Sequence, residues 1–265
     1  MYSKTQLAFK YLSYFFTSSN GKGHGVHSPF VFNFITKILN DKTPYPEYEK
    51  VEKLRKQLLA DNIVLTIEDF GAGSAVAKTN SRTVASIAKN AAKPKKFAQL
   101  LFRMVKEYQP QTIMELGTSL GITSSYLSLA KPGAKLVTME GAAEVANRAK
   151  KNFQILDLQN YSLIQGNFDH TLSAVVNDLS AVDFAFIDGN HRREPTEKYF
   201  LELLPKTNNE SILIFDDIHW SSEMELAWET IKNHPSVRCT IDLFFIGIVI
   251  FRQEFREKQH FTIRF

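Results

Sequence analysis

Between residues 112 and 233 the chain alternates short apolar runs with longer amphipathic segments, and this rhythm constrains the fold more than any other feature. The runs Thr112–Leu116, Lys135–Met139, Tyr161–Ile164, Val182–Ile187 and Ile212–Phe215 are expected strands. The intervening helices are expected over Ile122–Leu129, Ala143–Leu156, His170–Leu179, Glu194–Leu204 and Glu223–Asn233. Strands separated by helical crossovers are parallel neighbours. Val237–Leu243 and Ile246–Phe251 follow with no room for a crossover, so that pair must be antiparallel. The expected architecture is an open, mostly parallel α/β sheet with its last strand antiparallel and helices on both faces. Phe261–Phe265 can add an edge strand.

Residues 1–95 read differently, as a helical and aromatic-rich N-terminal extension or cap, with 96–265 as the main domain. Helices are expected over Leu7–Phe16, from Ser28-Pro29 through Ile38, over Pro46–Leu59, Ser81–Ala92 and Lys96–Tyr108. Ser28 suits an N-cap and Pro29 the first helical position. The glycine-rich stretch at 20–25 reads as a loop. A length of 265 residues suits one large α/β domain with an appendage, or two modest ones.

In sheets of this kind, ligands bind beyond the carboxyl ends of the strands. The first strand end carries Glu115-Leu116-Gly117-Thr118-Ser119-Leu120-Gly121, where glycines permit a tight turn and close backbone approach. The second carries Glu140-Gly141, an acid suited to the two hydroxyls of a ribose. The third carries Gly166-Asn167-Phe168-Asp169, an amide, an aromatic ring and a carboxylate for an adenine. A dinucleotide fingerprint would need a second glycine where Ser119 stands. Glu115 would also set a negative charge near a pyrophosphate. That carboxylate better suits the ammonium of an aminoacyl sulfonium.

From about residue 97 to 252 the chain resembles the class I S-adenosylmethionine-dependent methyltransferase fold, in its small-molecule O-methyltransferase branch. The resemblance rests on E-L-G-x-S-x-G, then E-G, G-N-F, I-D-G-N-H and D-D. It implies a Rossmann-like sheet and S-adenosylmethionine as cofactor. It implies Gly117, Ser119 and Gly121 around the methionine portion, Glu140 on the ribose, and Asn167 and Phe168 at the adenine. Glu115, Thr118 and Gly141 complete the expected cofactor set, with Asp188 shaping the pocket.

The fourth strand end is Asp188-Gly189-Asn190-His191 and the fifth is Asp216-Asp217-Ile218-His219-Trp220. Converging carboxylates repel unless a cation lies among them. Asp188, Asp216 and Asp217 are therefore candidate ligands for Mg²⁺, which binds through few carboxylates and keeps waters. Such a metal can orient vicinal oxygens and acidify an attacking hydroxyl. His191 is a candidate general base, and Asp188 and His191 are the expected catalytic pair. The pattern resembles catechol-type O-methyltransferases, which carry Asp-Asn where Asp216-Asp217 stands here. It also resembles macrolide-sugar O-methyltransferases, whose Asp-x-x-His and acidic pair it matches. Against these roles stand plainer ones: Asp216 and Asp217 as helix caps, His191 at a helix start, His219 and Trp220 as loop packing.

The reaction expected is O-methylation of a small hydroxylated acceptor. The rivals are an RNA or protein methyltransferase without metal, and a non-catalytic cofactor-binding module. The net charge of +4 permits nucleic acid without demanding it. The polar-Pro-Pro-aromatic motif of base N-methylation is replaced here by Asp188-Gly189-Asn190-His191. Cys239, the single cysteine, lies in a late apolar run and serves neither a disulfide framework nor cytosine methylation. Asp69-Phe70-Gly71-Ala72-Gly73-Ser74 resembles a second glycine loop but lacks a following strand with an acidic end, and reads as a hinge or lid. His24 and His27 form a weak metal motif. The aromatic run from Tyr11 to Phe34 suits core packing, an acceptor pocket or a homodimer face. With no secretory pattern and no apolar stretch near the ~20 residues of a membrane span, the expected location is cytoplasmic.

Overall fold

A computed structural model of the chain describes residues 1–19, 21–67 and 81–265. The chain packs as two compact units: Met1–Asp41 with Leu172–Phe265, and Lys42–Thr171.

The N-terminal segment begins with α1, Lys4–Thr17. Its start is fixed by a capping box in which the Ser3 hydroxyl accepts from the Gln6 backbone and the Gln6 side chain from that of Ser3. Helix α2, Pro29–Asn33, starts where Ser28-Pro29 predicts, with the Ser28 hydroxyl accepting from Val31. The expected α-helix does not continue to Ile38. It widens into a π-helical turn over Phe34–Leu39, which turns Phe34, Ile35, Ile38 and Leu39 all inward.

In the Lys42–Thr171 unit, α3 spans Pro46–Leu59, as the sequence predicts. Val64–Thr66 (β1) then pairs antiparallel with Ser81–Thr83 (β2), and α4 covers Val84–Asn90. The sequence reading extends a helix over these β2 residues. They stay extended because Thr83, not Ser81, caps α4, accepting from the Ser86 backbone at 3.1 Å. Asp69–Ser74 lies outside the described residues. Helix α5, Lys95–Tyr108, leads into β3 (Thr112–Leu116), α6 (Ile122–Ala130), β4 (Lys135–Glu140), α7 (Ala143–Ile155) and β5 (Tyr161–Gln165). These three strands are parallel, in the order β3-β4-β5. Ile113, Met114 and Leu116 of β3 and Leu136, Val137 and Met139 of β4 are buried. Helix α8, Phe168–Asn177, starts two residues earlier than its apolar pattern suggests, because the Asn167 side chain accepts from the Asp169 backbone at 2.9 Å.

The C-terminal segment carries β6 (Phe184–Ile187), α9 (Arg193–Leu203), β7 (Ile212–Asp216), α10 (Ser222–Asn233), β8 (Cys239–Asp242), β9 (Ile246–Ile250) and β10 (Gln259–Thr262). The strand order is β10-β8-β9-β7-β6. Strand β9 is inserted between β7 and β8 and is antiparallel to both, as the short connection requires. The edge strand exists too, starting at Gln259 and parallel to β8. Gly247 on β9 lets α10 approach the sheet: a Cβ there would stand 2.6 Å from the Trp228 ring. Among the described residues no helix is long and apolar enough to cross a membrane.

Candidate active site

The first group of candidate residues lies at the carboxyl ends of β3, β4 and β5. Glu115 is fully buried on β3. Its Oε2 accepts from Thr138 on β4 at 2.6 Å and from the Ser124 hydroxyl on α6. Its Oε1 has no protein hydrogen-bond partner. Burial pushes this carboxyl up to about 7, the two hydroxyls oppose the rise, and Glu140 adds to it.

The loop after β3 departs from ordinary backbone. Gly117 and Gly121 have φ of 104° and 78°, and Ser119 has φ of 47°. The N–H groups of Gly117 and Thr118 both donate to the Met139 carbonyl, at 3.0 and 2.9 Å. Gly121 has a packing reason as well, since a Cβ there would stand 2.4 Å from the Phe153 ring of α7. Glu140 braces the same loop: its carboxylate accepts from the Ser119 backbone at 2.8 Å and from Ala142 at 3.0 Å. Burial raises its carboxyl above the ordinary range, partly offset by backbone N–H groups of Ala142, Ser119 and Gly141. Asn167 and Phe168 stand at the start of α8, with Gly166 at φ 147° turning the chain into it.

The second group lies at the carboxyl ends of β6 and β7. Asp188, His191 and Asp216 each offer a ligand atom, and these atoms all lie within 4.8 Å of one another. Asp188 Oδ1 is 3.5 Å from His191 Nε2. Asp216 is buried, while Asp188 and His191 are half-buried. Asp217 is not in this group. It sits at φ 52°, with its N–H on the Phe245 carbonyl at 2.6 Å. Asp216 therefore ends its strand beside Asp188, while Asp217 turns the chain. The cap of α10 is Ser221, whose hydroxyl accepts from Met224.

Beside Asp217 is a small cleft lined by Leu7, Asp217, His219, Trp220, Phe244 and Phe245. The Trp220 ring is 5.5 Å from that of His191. His219 bonds two carboxylates, Glu225 at 3.1 Å and Asp242 at 2.8 Å. Burial lowers its tendency to hold a proton, but Asp242 and Glu225 reverse this and leave it raised. Sequence reasoning missed Thr138, Ser124, Leu7, Phe244 and Phe245. Thr138 alone carries a legible signal, standing two residues before Glu140 on the adjacent strand.

Residues 114–218 match the family model described as a methyltransferase domain. A tRNA (guanine-N(7)-)-methyltransferase of Mycoplasma mobile is 30% identical, over 48% of this chain and 72% of that protein.

The chain is a class I S-adenosylmethionine-dependent methyltransferase.

The methyltransferase shares its Rossmann-like fold with a methyltransferase of Podospora anserina solved with S-adenosylhomocysteine, at a TM-score of 0.59, with 10% identity, over 95% of this chain and 98% of that one. The O-methyltransferase TomG of Streptomyces achromogenes, solved with S-adenosylmethionine, matches at 0.54, with 16% identity, over 62% and 82%. An O-methyltransferase of Bacillus cereus with S-adenosylhomocysteine matches at 0.54, with 18% identity, over 83% and 97%. The residues of the methyltransferase fit the cofactor chemically. A buried carboxylate with one unbonded oxygen suits an ammonium, and a loop of positive φ braced by a second carboxylate suits a close-lying ligand.

Proposed function

We propose that this enzyme transfers a methyl group to a hydroxyl of a small acceptor, assisted by a divalent metal. The observation that carries the reading is the grouping of Asp188, His191 and Asp216 at two adjacent strand ends. Two carboxylates so close suit a hard divalent cation such as Mg²⁺. Asp188 and Asp216 are the residues that would hold it, with Asp217 a neighbour that shapes the cleft. A metal there supplies charge that orients and acidifies an acceptor hydroxyl. His191, whose Nε2 is turned to Asp188, would take the proton of the acceptor hydroxyl at its other ring nitrogen.

S-Adenosylmethionine supplies an electrophilic methyl on a sulfonium. In this reading Glu115 faces its ammonium, and Gly117, Thr118, Ser119 and Gly121 pass close to its methionine portion. Glu140 and Gly141 take the ribose, and Asn167 and Phe168 the adenine. The small cleft of Leu7, Trp220, Phe244 and Phe245, with room for about one water, borders the acceptor beside Asp217. Leu7 brings the N-terminal region of 1–95 into acceptor choice.

A second reading, methylation of a tRNA base, is favoured by the Mycoplasma mobile relative. A general base such as His191 speaks for the first reading, because guanine N7 carries no proton to remove. The test is transfer of labelled methyl to a panel of catechols, hydroxylated sugars and total tRNA, with and without Mg²⁺. Label on a hydroxyl that is lost in Asp188→Ala supports the proposal. Label in tRNA, unchanged by Asp188→Ala and by chelation, supports the second reading.

A further inference from the structure

Helix α1 is apolar on two opposite sides, and only one of them is packed. The packed side carries Leu7, Tyr11 and Tyr14. The Tyr11 ring lies 5.1 Å from Phe244 and 5.8 Å from Phe245, and Tyr14 lies 5.3 Å from Phe244. Beside them Lys10 bonds Glu225 at 2.9 Å. At 3.6 residues per turn, Phe9, Leu12 and Phe16 fall on the far side. They are 74%, 49% and 76% exposed. Phe15 flanks them, with the Arg264 guanidinium 4.1 Å from its ring. Among the described residues, the phenylalanines classed as exposed are Phe9, Phe15, Phe16 and Phe32, all within the first 33 positions. A ridge of adjacent exposed aromatic rings marks an interaction site more than scattered apolar residues do.

The charge of this segment says what kind of partner fits. Residues 1–40 contain four lysines (Lys4, Lys10, Lys22 and Lys37) and no aspartate or glutamate. The whole chain, by contrast, is nearly balanced, with 32 basic and 28 acidic residues. Lys4, Lys22 and Lys37 are exposed. An apolar helical ridge within a segment that carries lysines and no acidic residue resembles in composition the helices that lie in a membrane interface. Lysines near such a surface add attraction to anionic headgroups.

We propose that α1 docks this methyltransferase onto an anionic lipid surface, with Phe9, Leu12 and Phe16 inserted at the headgroup boundary. A second copy of the chain fits less well. A two-fold interface sets the same patch against itself, and residues 1–40 supply no acidic residue to meet the lysines of a second copy. A nucleic-acid strand fits less well too, because such sites interleave cations with stacking rings along a groove. The line Thr5, Phe9, Leu12 and Phe16 is convex and carries no cation.

The test is co-sedimentation of the full chain with vesicles of phosphatidylcholine and of phosphatidylcholine–phosphatidylglycerol. Wild type is expected to sediment with the anionic vesicles, less so as salt rises. Phe9→Ser/Phe16→Ser is expected to bind about tenfold more weakly or worse. Lys4→Glu/Lys22→Glu, which leaves the ridge intact, is expected to weaken anionic binding severalfold. Unchanged circular dichroism and S-adenosylmethionine affinity establish that each variant is folded; if the double serine variant is not, Leu12→Gln takes its place. Three results would overturn the proposal. These are no sedimentation of wild type with either vesicle, a concentration-dependent dimer that the serine substitutions dissolve, and retention of tRNA that the same substitutions abolish.

Discussion

Thr138 donates its hydroxyl to the fully buried Glu115 at 2.6 Å, from the position directly opposite it in the β3–β4 ladder. The same hydroxyl is 2.6 Å from that of Thr118, in the loop that follows β3. Strand register thus connects the carboxylate to the backbone expected to meet the cofactor. This carboxyl titrates at about 7 rather than 4.5, so ionising it costs the folded, unliganded protein about 3 kcal/mol relative to an exposed glutamate.

The sign of that shift predicts a pH dependence. The raised value contributes stability that is complete below pH 4.5 and is lost as pH rises through about 7. The melting temperature of the unliganded protein should therefore fall from pH 5 toward 8 more in wild type than in Glu115→Gln. A cationic ligand beside Glu115 favours its ionised form. Affinity for S-adenosylmethionine should rise severalfold from pH 6 to 8 in wild type and stay flat in the glutamine variant. Parallel curves for the two proteins would remove Glu115 from the cofactor site.

His191→Ala should lower kcat by about 10²–10⁴, the usual contribution of a general base, and leave cofactor affinity intact. Asp216→Ala should lower kcat as well and abolish the dependence on Mg²⁺. If Asp216→Ala is inactive only because S-adenosylmethionine no longer binds, the residue belongs to cofactor binding and not to a metal.

Gly121→Ala should destabilise the fold by about 2 kcal/mol or more. The new Cβ meets the Phe153 ring, and the residue sits at φ 78°, where side chains are strained. Denaturant unfolding measures this directly, and an unchanged midpoint would mean that the ring moves freely.

Tyr14→Phe tests the docking of α1. The Tyr14 hydroxyl donates to the Ile263 carbonyl and accepts from the Phe265 N–H at 3.1 Å, both in buried or half-buried surroundings. Its loss should cost about 1–3 kcal/mol. Leu7→Ala on the same helix should raise the KM for the acceptor severalfold without changing the affinity for S-adenosylmethionine.

The strand–helix rhythm was legible because each crossover needs both faces of its helix patterned. β3, α3 and the start of α6 fall where the apolar spacing sets them. β1 and β2 escaped notice because three-residue strands carry no period, and the helix signal of Val84–Asn90 runs straight back into Ser81. The strand-end motifs set Glu115 and Glu140 at the carboxyl ends of β3 and β4, and Asp188 and Asp216 at those of β6 and β7, because the apolar run of each strand fixes where it ends. Motif spacing placed Asp217 with Asp188. The ligand atoms that group are those of Asp188, His191 and Asp216, and Asp217 stands at φ 52°, which no side-chain pattern reports. The cleft was hidden for another reason: Leu7 and Phe244 are 237 positions apart, and only the docking of α1 unites them.

Calorimetric titration of S-adenosylmethionine, then of Mg²⁺ into the loaded enzyme, tests the proposed function most directly. Wild type should show saturable binding of both, and Asp188→Ala should keep the first while losing the second. A folded wild-type enzyme that binds S-adenosylmethionine but gives no Mg²⁺ heat, or whose Mg²⁺ heat survives Asp188→Ala, would contradict metal-assisted O-methylation at Asp188, His191 and Asp216.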